Sequence, residues 1–194
     1  MLFGNPPIDS AELFKIVTSQ VPARAKRNRS TEFTQAVKEV LFELGSEKDR
    51  GLRVYASIHL GAEKHEEWLL DVVWFSVQRG IQLAVESEWG KVEQVLDDFE
   101  KLMCVKSPLK LMLFSSSETG LSGSIVVGRL EEYLTDFEQN VKGEIYLLVD
   151  FTGGGHQCYE YKVPHDGKLK ENEVKFSHIK RLSGPDVLSR GSTA

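Results

Sequence analysis

The stretch EWLLDVVWFSVQRGIQLAVESE, residues 67–88, decides the fold, because its pattern predicts two strands joined by a turn at Gly80. In residues 67–75 apolar side chains occupy both odd and even positions, and successive side chains of a strand point to opposite faces of its sheet. Such a strand is covered on both sides. Residues 81–88 predict a second strand with one apolar face. The residues of that face are Ile81, Leu83 and Val85.

Three carboxylates lie on these two strands. Asp71 is in the middle of the first, and Glu86 and Glu88, two residues apart, leave the same side of the second. Taken singly, a solvated face explains the Glu pair, and a hydrogen bond to a backbone amide or an arginine explains Asp71. Taken together, oxygen ligands on neighbouring strands are typical of a hard divalent cation such as Mg²⁺. The pattern therefore predicts that the three side chains converge at one end of the sheet.

The charge of Asp71 leads to an expectation about stability. A carboxylate inside an apolar strand destabilises the fold unless a cation or hydrogen-bond donors receive it. If Asp71 has no such partner, Asp71→Asn should keep the fold and even stabilise it, because it removes a buried charge at similar volume.

The spacing from Asp71 to Glu86-Ser87-Glu88 resembles the Asp…(Asp/Glu)-x-Lys signature of the restriction-endonuclease-like nucleases, the PD-(D/E)XK family. As a pattern of elements, the resemblance covers roughly residues 30–115. The chain departs from the family at Glu88, where the usual residue is Lys. The segments that resemble family elements are 68–74 and 83–88 (second and third core strands), helix 92–103 and strand 109–114.

The resemblance implies a nuclease that uses Mg²⁺ or Mn²⁺. Asp71 and Glu86 would hold the ion, and Glu88 would bind a second ion or orient the attacking water. Relatives often place a helix Glu near the metal, which points to Glu43 first and Glu39 second; an ordinary charged helix flank also explains both. Some family nucleases carry Glu at the Lys position. The alternative, favoured by the acidic net charge and by Glu88 itself, is a nuclease-like scaffold without catalysis that binds a protein partner.

The remaining sequence predicts an α/β fold: a central mixed sheet flanked by helices on both faces, with a restriction-endonuclease-like core. Strands 109–114 and 144–151 each follow a helix and should be parallel to the preceding strand. Residues 1–182 are expected to form one domain and residues 183–194 a flexible tail. The other predicted elements are a helix capped by Asp9 and ended by Pro22, helices 31–44 and 122–140, and strands 52–60, 158–163 and 175–182.

Composition narrows the classes of partner. The chain has 194 residues, 41% of them hydrophobic and 27% charged, which are values of a globular domain. A net charge of −5 argues against indiscriminate nucleic-acid binding and disfavours a DNA-binding protein without chemistry. The dense basic cluster at residues 24–29 could still form a local patch for nucleic acid. A protein partner or a homodimer is the other expected type of contact.

Two further observations concern location. No apolar run reaches the ~20 residues of a membrane helix, and no signal peptide is visible, so no membrane association is expected. Cys104 and Cys158 lack the spacing of a disulfide or metal framework. We therefore expect a reducing, cytoplasmic setting, with Cys104 in the core of an apolar helix.

Overall fold

The computed structural model describes residues 5–25, 30–60, 63–65, 69–152 and 155–164. The predicted tail 183–194, the predicted strand 175–182 and the end of the predicted domain lie outside these ranges. Helices and strands follow one another in the order given next. The elements are α1 (Ser10–Arg24), α2 (Ser30–Gly45), a 3₁₀ turn (Lys48–Arg50), β1 (Arg53–Ala56), β2 (Ile58–Leu60), β3 (Glu63–His65), β4 (Val72–Ser76), β5 (Gly80–Glu88), α3 (Val92–Cys104), β6 (Leu109–Phe114), α4 (Ser116–Thr119), α5 (Gly123–Asp136), β7 (Ile145–Thr152) and β8 (Gly155–Lys162).

Six strands form one mixed sheet in the order β1-β4-β5-β6-β7-β8. β1, β4 and β5 are antiparallel neighbours, whereas β5, β6 and β7 run parallel, with α3 and then α5 as crossovers. β8 returns antiparallel to β7, and β2 pairs separately with β3. The parallel strands predicted at 109–114 and 144–151 are thus confirmed. Their carboxyl ends lie at one edge of the sheet, because parallel strands share a direction.

Helices cover both faces of this sheet, as predicted for an α/β fold. One core lies between α1, α2 and the sheet, and the other lies between α3, α5 and the sheet. Strand β4 shows the pattern most clearly: Val72 and Trp74 belong to the first core and Val73 to the second, all three fully buried. Apolar residues on both faces of β4 therefore mark a central strand, as the sequence predicted.

Helix α2 is seated on β4 by a close contact at its last residue. The Trp74 indole Nε1 donates a 3.0 Å hydrogen bond to the Leu41 carbonyl oxygen. A Cβ on Gly45 would lie 2.4 Å from that Nε1, so only glycine lets the helix approach the ring this closely. The contact fixes the height of α2 along β4.

Besides the end of the predicted helix 122–140, which lies at Asp136, three predicted element boundaries were wrong. Helix α1 continues through Pro22 to Arg24, because Ala25 N–H bonds to the Val21 carbonyl at 3.0 Å and completes the last turn beyond the proline. The strand predicted at 52–60 is divided at Ser57 between two sheets.

The third error concerns the strand predicted at 67–75, which begins only at Val72 within the described residues. Leu69 is therefore not on an apolar strand face and is 70% exposed. The register of β4 and β5 also shifts at Trp74 and Phe75, and this bulge places Ile81 against the α3 and α5 core, away from Leu83 and Val85.

Candidate functional site

Asp71 and Glu86 are neighbours at the end of the β4–β5 pair. Val72 pairs with Val85, so the next positions outward on the two antiparallel strands are Asp71 and Glu86. The backbone amide of Asp71 hydrogen-bonds to the Glu86 carboxylate. The start of β4 thus lies against the carboxyl end of β5, and Asp71, the residue just before β4, lies beside the Glu86 carboxylate.

Asp71 is buried and fully partnered. Its Oδ2 accepts hydrogen bonds from the Ser87 backbone amide at 2.9 Å and from the Ser87 hydroxyl at 2.6 Å. Its Oδ1 lies 3.0 Å from the Lys38 ammonium, and the Asp71 and Lys38 side chains are only 12% and 10% exposed. The expectation for an unpaired Asp71, that Asp71→Asn would stabilise the protein, therefore loses its premise.

Lys38 reaches Asp71 because of the way α2 lies along β4. Lys38 and Gly45 are seven positions, about two helical turns, apart, so they share one side of α2. That spacing spans about 10 Å of helix, and the step from Asp71 to Trp74 spans about 10 Å of extended chain. Gly45 against Trp74 and Lys38 against Asp71 are therefore two ends of one docking contact.

Glu86 is the least compensated carboxylate of the site. It is 4% exposed, and its only described ion pair is a long one, 3.8 Å from Glu86 Oε1 to the Lys101 ammonium. Burial, together with the nearby carboxylates of Asp71 and Asp98, raises the pKa of Glu86 to about 8. At neutral pH the side chain therefore holds a proton for most of the time.

Glu88 lies two residues further along β5 and is half-buried. Its Oε1 accepts a 2.6 Å hydrogen bond from the Gly90 backbone amide. Burial raises the pKa of Glu88, and the negative charge of Asp98 acts in the same direction. A Cβ on Gly90 would lie 2.7 Å from this oxygen, so the turn after β5 is built closely around the carboxylate.

Among the described residues, four carboxylates and two ammonium groups interact in this region. We refer to Asp71, Glu86, Glu88 and Asp98 as the carboxylate cluster. Lys38 neutralises Asp71, and Lys101 on α3 bonds Asp98 at 2.6 Å while facing Glu86. Burial is the main cause of the raised pKa of Glu86 and of Glu88, and the charges of the neighbouring carboxylates act in the same direction.

The two helix glutamates predicted near the metal have other partners. Glu43 accepts hydrogen bonds from both terminal nitrogens of Arg24, at 2.6 and 2.8 Å, on the exposed side of α1 and α2. Glu39 accepts a 2.9 Å hydrogen bond from the Gln35 side-chain amide. The α2 residue that contacts Asp71 is Lys38. The assignments of Glu43 and Glu39 to a metal stay predictions.

The donor chemistry of the cluster fits Mg²⁺ or Mn²⁺. Its ligand atoms are carboxylate oxygens, and a cation would offset the burial and the carboxylate repulsion that together raise the pKa of Glu86 and Glu88. In the described part of the chain, no three Asp, Glu, His or Cys side chains are grouped as ligands of one ion. Mg²⁺ needs no such group, since it keeps several waters and commonly takes one or two carboxylates plus a phosphate.

Lys38, Asp98 and Lys101 are the site residues that sequence reasoning missed. The signal for Lys38 was its place on the Leu41 and Gly45 side of α2, which makes it the polar end of a face that packs on the sheet. No comparable pattern pointed to Lys101, which lies on the exposed flank of α3 beside Asp98.

Comparison of the sequence with protein-family models and with curated proteins finds no match. None of the helices in the described residues has the length and apolar character required to cross a membrane. Cys104, predicted in the core, is exposed at the end of α3, and it and Cys158 are free thiols.

Proposed function

We propose that the chain is a divalent-metal-dependent nuclease-like protein that hydrolyses phosphodiester bonds of nucleic acid at the carboxylate cluster. The observation that carries the proposal is Glu86: a carboxylate that is 4% exposed, lies beside Asp71 and Asp98, and has only a 3.8 Å contact with Lys101. A fold keeps such a group at a cost in stability, and uncompensated charges of this kind concentrate at functional sites.

Glu86 and Glu88 would hold the ion, and Asp71, paired with Lys38, would lie beside it. A bound Mg²⁺ or Mn²⁺ polarises a phosphate and lowers the pKa of water. Without the ion, Glu86 retains a proton at neutral pH, and the cluster then repels a phosphate less than four ionised carboxylates would. Asp71 is held in place by Lys38 and Ser87, so the end of β4 is a rigid wall of the site.

Lys101 would supply the positive charge that the family usually draws from the motif Lys, replaced here by Glu88. Its side chain is 48% exposed, and its ammonium lies 3.8 Å from Glu86 Oε1 and 2.6 Å from Asp98 Oδ1. A half-exposed ammonium at the mouth of an acidic cluster can meet a phosphate without leaving its carboxylates. The succession α2, β1, β4, β5, α3 and β6 also supports the resemblance to the restriction-endonuclease-like nucleases.

A second candidate function is a nuclease-like scaffold without catalysis that binds a protein partner. The pair between Lys38 and Asp71 favours it, because an ammonium already occupies the Asp71 oxygen that a metal would need. The net charge of −5 favours it as well, since it weakens contact with nucleic acid. For either function we propose a cytoplasmic setting, on the basis of the free thiols Cys104 and Cys158.

Titration calorimetry with Mn²⁺ tests the leading proposal. The ion displaces the Glu86 proton, so affinity should rise up to about tenfold per pH unit below the Glu86 pKa of about 8 and level off above it. The enthalpy should depend on the ionisation heat of the buffer below that pH. Glu86→Gln should abolish both effects, whereas Glu47→Gln, which removes an exposed carboxylate paired with Arg50, should leave both unchanged.

Cleavage assays complete the test. Duplex, single-stranded and branched DNA and RNA should be cut with Mg²⁺ or Mn²⁺ and left intact with Ca²⁺, which coordinates oxygen at longer, looser distances. Glu86→Gln should abolish cutting. An absence of both cleavage and Mn²⁺ binding in the unaltered protein would remove the nuclease proposal and leave the scaffold.

A further inference from the structure

A cleft of about 280 Å³ opens on the α1 and α2 face of the sheet, and nothing described so far uses it. It lies at the carboxyl edge of the parallel strands, where β5, β6 and β7 end. Trp89 follows the last residue of β5, Ser115 follows the last residue of β6, and Thr152 ends β7, and all three line the cleft. We refer to it as the aromatic cleft.

Four aromatic rings in mutual contact form its wall. The Phe33 and Trp89 ring centroids are 5.0 Å apart, Trp89 and Phe151 are 5.3 Å apart, and Phe151 and His156 are 4.5 Å apart. The planes are tilted or edge-on, and Trp89 and Phe151, each 7% exposed, pack into the α1 and α2 core while they line the cleft. Trp89 Nε1 donates a 3.0 Å hydrogen bond to Thr34 Oγ1, which holds the indole in place.

The cleft also presents polar groups that a core would not need. His156 Nδ1 is buried and, among the described residues, has no hydrogen-bond partner. Burial lowers the pKa of His156, which keeps the imidazole neutral and leaves Nδ1 a donor or an acceptor according to tautomer. Ser117, whose hydroxyl lies 2.7 Å from that of Ser115, also lines the cleft, from the exposed start of α4.

We propose that the aromatic cleft binds a nucleobase, an inference that rests on the proposed function and extends it to the substrate. Planar aromatic walls stack on any base, and an unsatisfied imidazole nitrogen and a hydroxyl complement the donors and acceptors of a base edge. The site takes an unpaired base, because a base within a duplex exposes neither of its faces.

The position of the cleft fits a substrate that reaches the carboxylate cluster. Glu88 and Trp89 are consecutive residues, and Glu88 pairs in register with Phe114, the residue before Ser115. Glu86 and Glu88 share a side of β5, which at Glu86 faces Lys101 and Asp98 on α3, whereas Trp89 and Phe151 belong to the α1 and α2 core. A strand that crosses the sheet edge can place one base in the cleft and a phosphate at the cluster.

Fluorescence anisotropy with a labelled single-stranded oligonucleotide of about eight residues, compared with an abasic oligonucleotide of the same length, tests the inference. The full-length protein should bind the base-containing strand about tenfold more tightly, and this ratio should persist between about 50 and 200 mM salt because stacking is not a counterion effect. Free thymidine and AMP are measured in parallel by competition. Competition by these free ligands alone would identify a free nucleoside or nucleotide as the source of the base.

Three variants test which residues contribute to base binding. Ser117→Leu narrows the cleft and should remove most of the tenfold ratio. Ser124→Leu is the matched control, because Ser124 is equally exposed and its hydroxyl also lies next to that of a serine two residues earlier, at 3.1 Å. His156→Phe keeps an aromatic ring at this position and removes Nδ1. It should weaken binding of the base-containing strand several-fold while leaving binding of the abasic strand unchanged.

These measurements are made without metal and repeated on Glu86→Gln, so a failure of nuclease activity does not affect them. The cleft assignment would be overturned, even if cleavage occurs, if the unaltered protein binds the base-containing and abasic strands equally and the free ligands do not compete. A ratio that Ser117→Leu and Ser124→Leu leave equally intact would also overturn it, because the base would then bind elsewhere. Base-dependent binding without either cleavage or Mn²⁺ binding would sustain the cleft and remove the nuclease.

Discussion

Asp71→Asn should destabilise the protein, because it removes the carboxylate that lies 3.0 Å from the buried Lys38 ammonium. The Lys38 and Asp71 side chains are 10% and 12% exposed, and their charged atoms are 3.0 Å apart, so solvent screens the pair weakly. Removing one partner of a buried ion pair costs about 3–5 kcal/mol. Asparagine is nearly isosteric and keeps an oxygen for the Ser87 donors, which places the expected loss at the lower end, about 3 kcal/mol.

Urea unfolding followed by fluorescence measures this loss, and a melting temperature lower by about 6–12 °C should accompany it. Lys38→Met and the double variant complete a cycle. Lys38→Met combined with Asp71→Asn should be more stable than the sum of the single effects predicts, since each change removes the other's unpaired group. Glu43→Gln, which breaks the exposed pair with Arg24, is the control and should change the free energy of unfolding by less than about 1 kcal/mol.

One outcome would refute the reasoning. If Asp71→Asn is as stable as the unaltered protein or more so, Lys38 is free to leave Asp71 at no cost, and the docking of α2 does not bring the two together in solution. The original expectation of an unpaired Asp71 would then stand.

Three further changes test other parts of the structure. Gly45→Ala should lower the free energy of unfolding by about 1–3 kcal/mol by pressing on the Trp74 indole, which calorimetry measures; a neutral result would mean that α2 shifts freely. Glu144→Gln should lower the free energy of unfolding by about 3 kcal/mol near neutral pH, because it removes the carboxylate 3.0 Å from the Lys110 ammonium, which is 1% exposed. Burial lowers the pKa of Lys110 to about 8, so this loss of stability should shrink as pH rises through 8. A loss that does not change with pH would contradict this account. Glu86→Gln should raise the free energy of unfolding at about pH 9 and change it little at pH 5. The reason is that a Glu86 pKa raised from 4.5 to about 8 makes the stability of the unaltered protein fall, by on the order of 4 kcal/mol, as pH rises between those values. Equal effects of the substitution at both pH values would contradict this account.

Periodicity predicted the architecture of this chain well, because the core residues repeat with the period of their element. Apolar residues on both faces of β4 gave the covered central strand, and a helix before each of β6 and β7 gave the parallel pairs. Pro22 has the local signal of a helix end, yet the helix continues through it to Arg24. The alternation at 52–60 has the local signal of one strand, yet the hydrogen bonds divide it between two sheets at Ser57.

The candidate site was predicted only in part, because spacing gives the side from which a residue leaves its element and gives no information about its partner. Glu86 and Glu88 leave one side of β5, as the two-residue period requires. The partner of Asp71 could not be read from its own strand. It comes from α2, 33 positions earlier, and depends on the Gly45 contact that sets the height of the helix.

The two parts of the site respond in opposite ways to a cation. An ion that takes Asp71 Oδ1 must release Lys38, and losing about 3 kcal/mol lowers its affinity about 150-fold. An ion at Glu86 and Glu88 instead offsets the burial and the repulsion that raise the pKa of both groups. The less costly arrangement therefore binds Glu86 and Glu88 and leaves the Lys38 pair intact. In that arrangement Asp71 and Lys38 position the end of β5 through Ser87, and the affinity of the site for metal depends on the two glutamates.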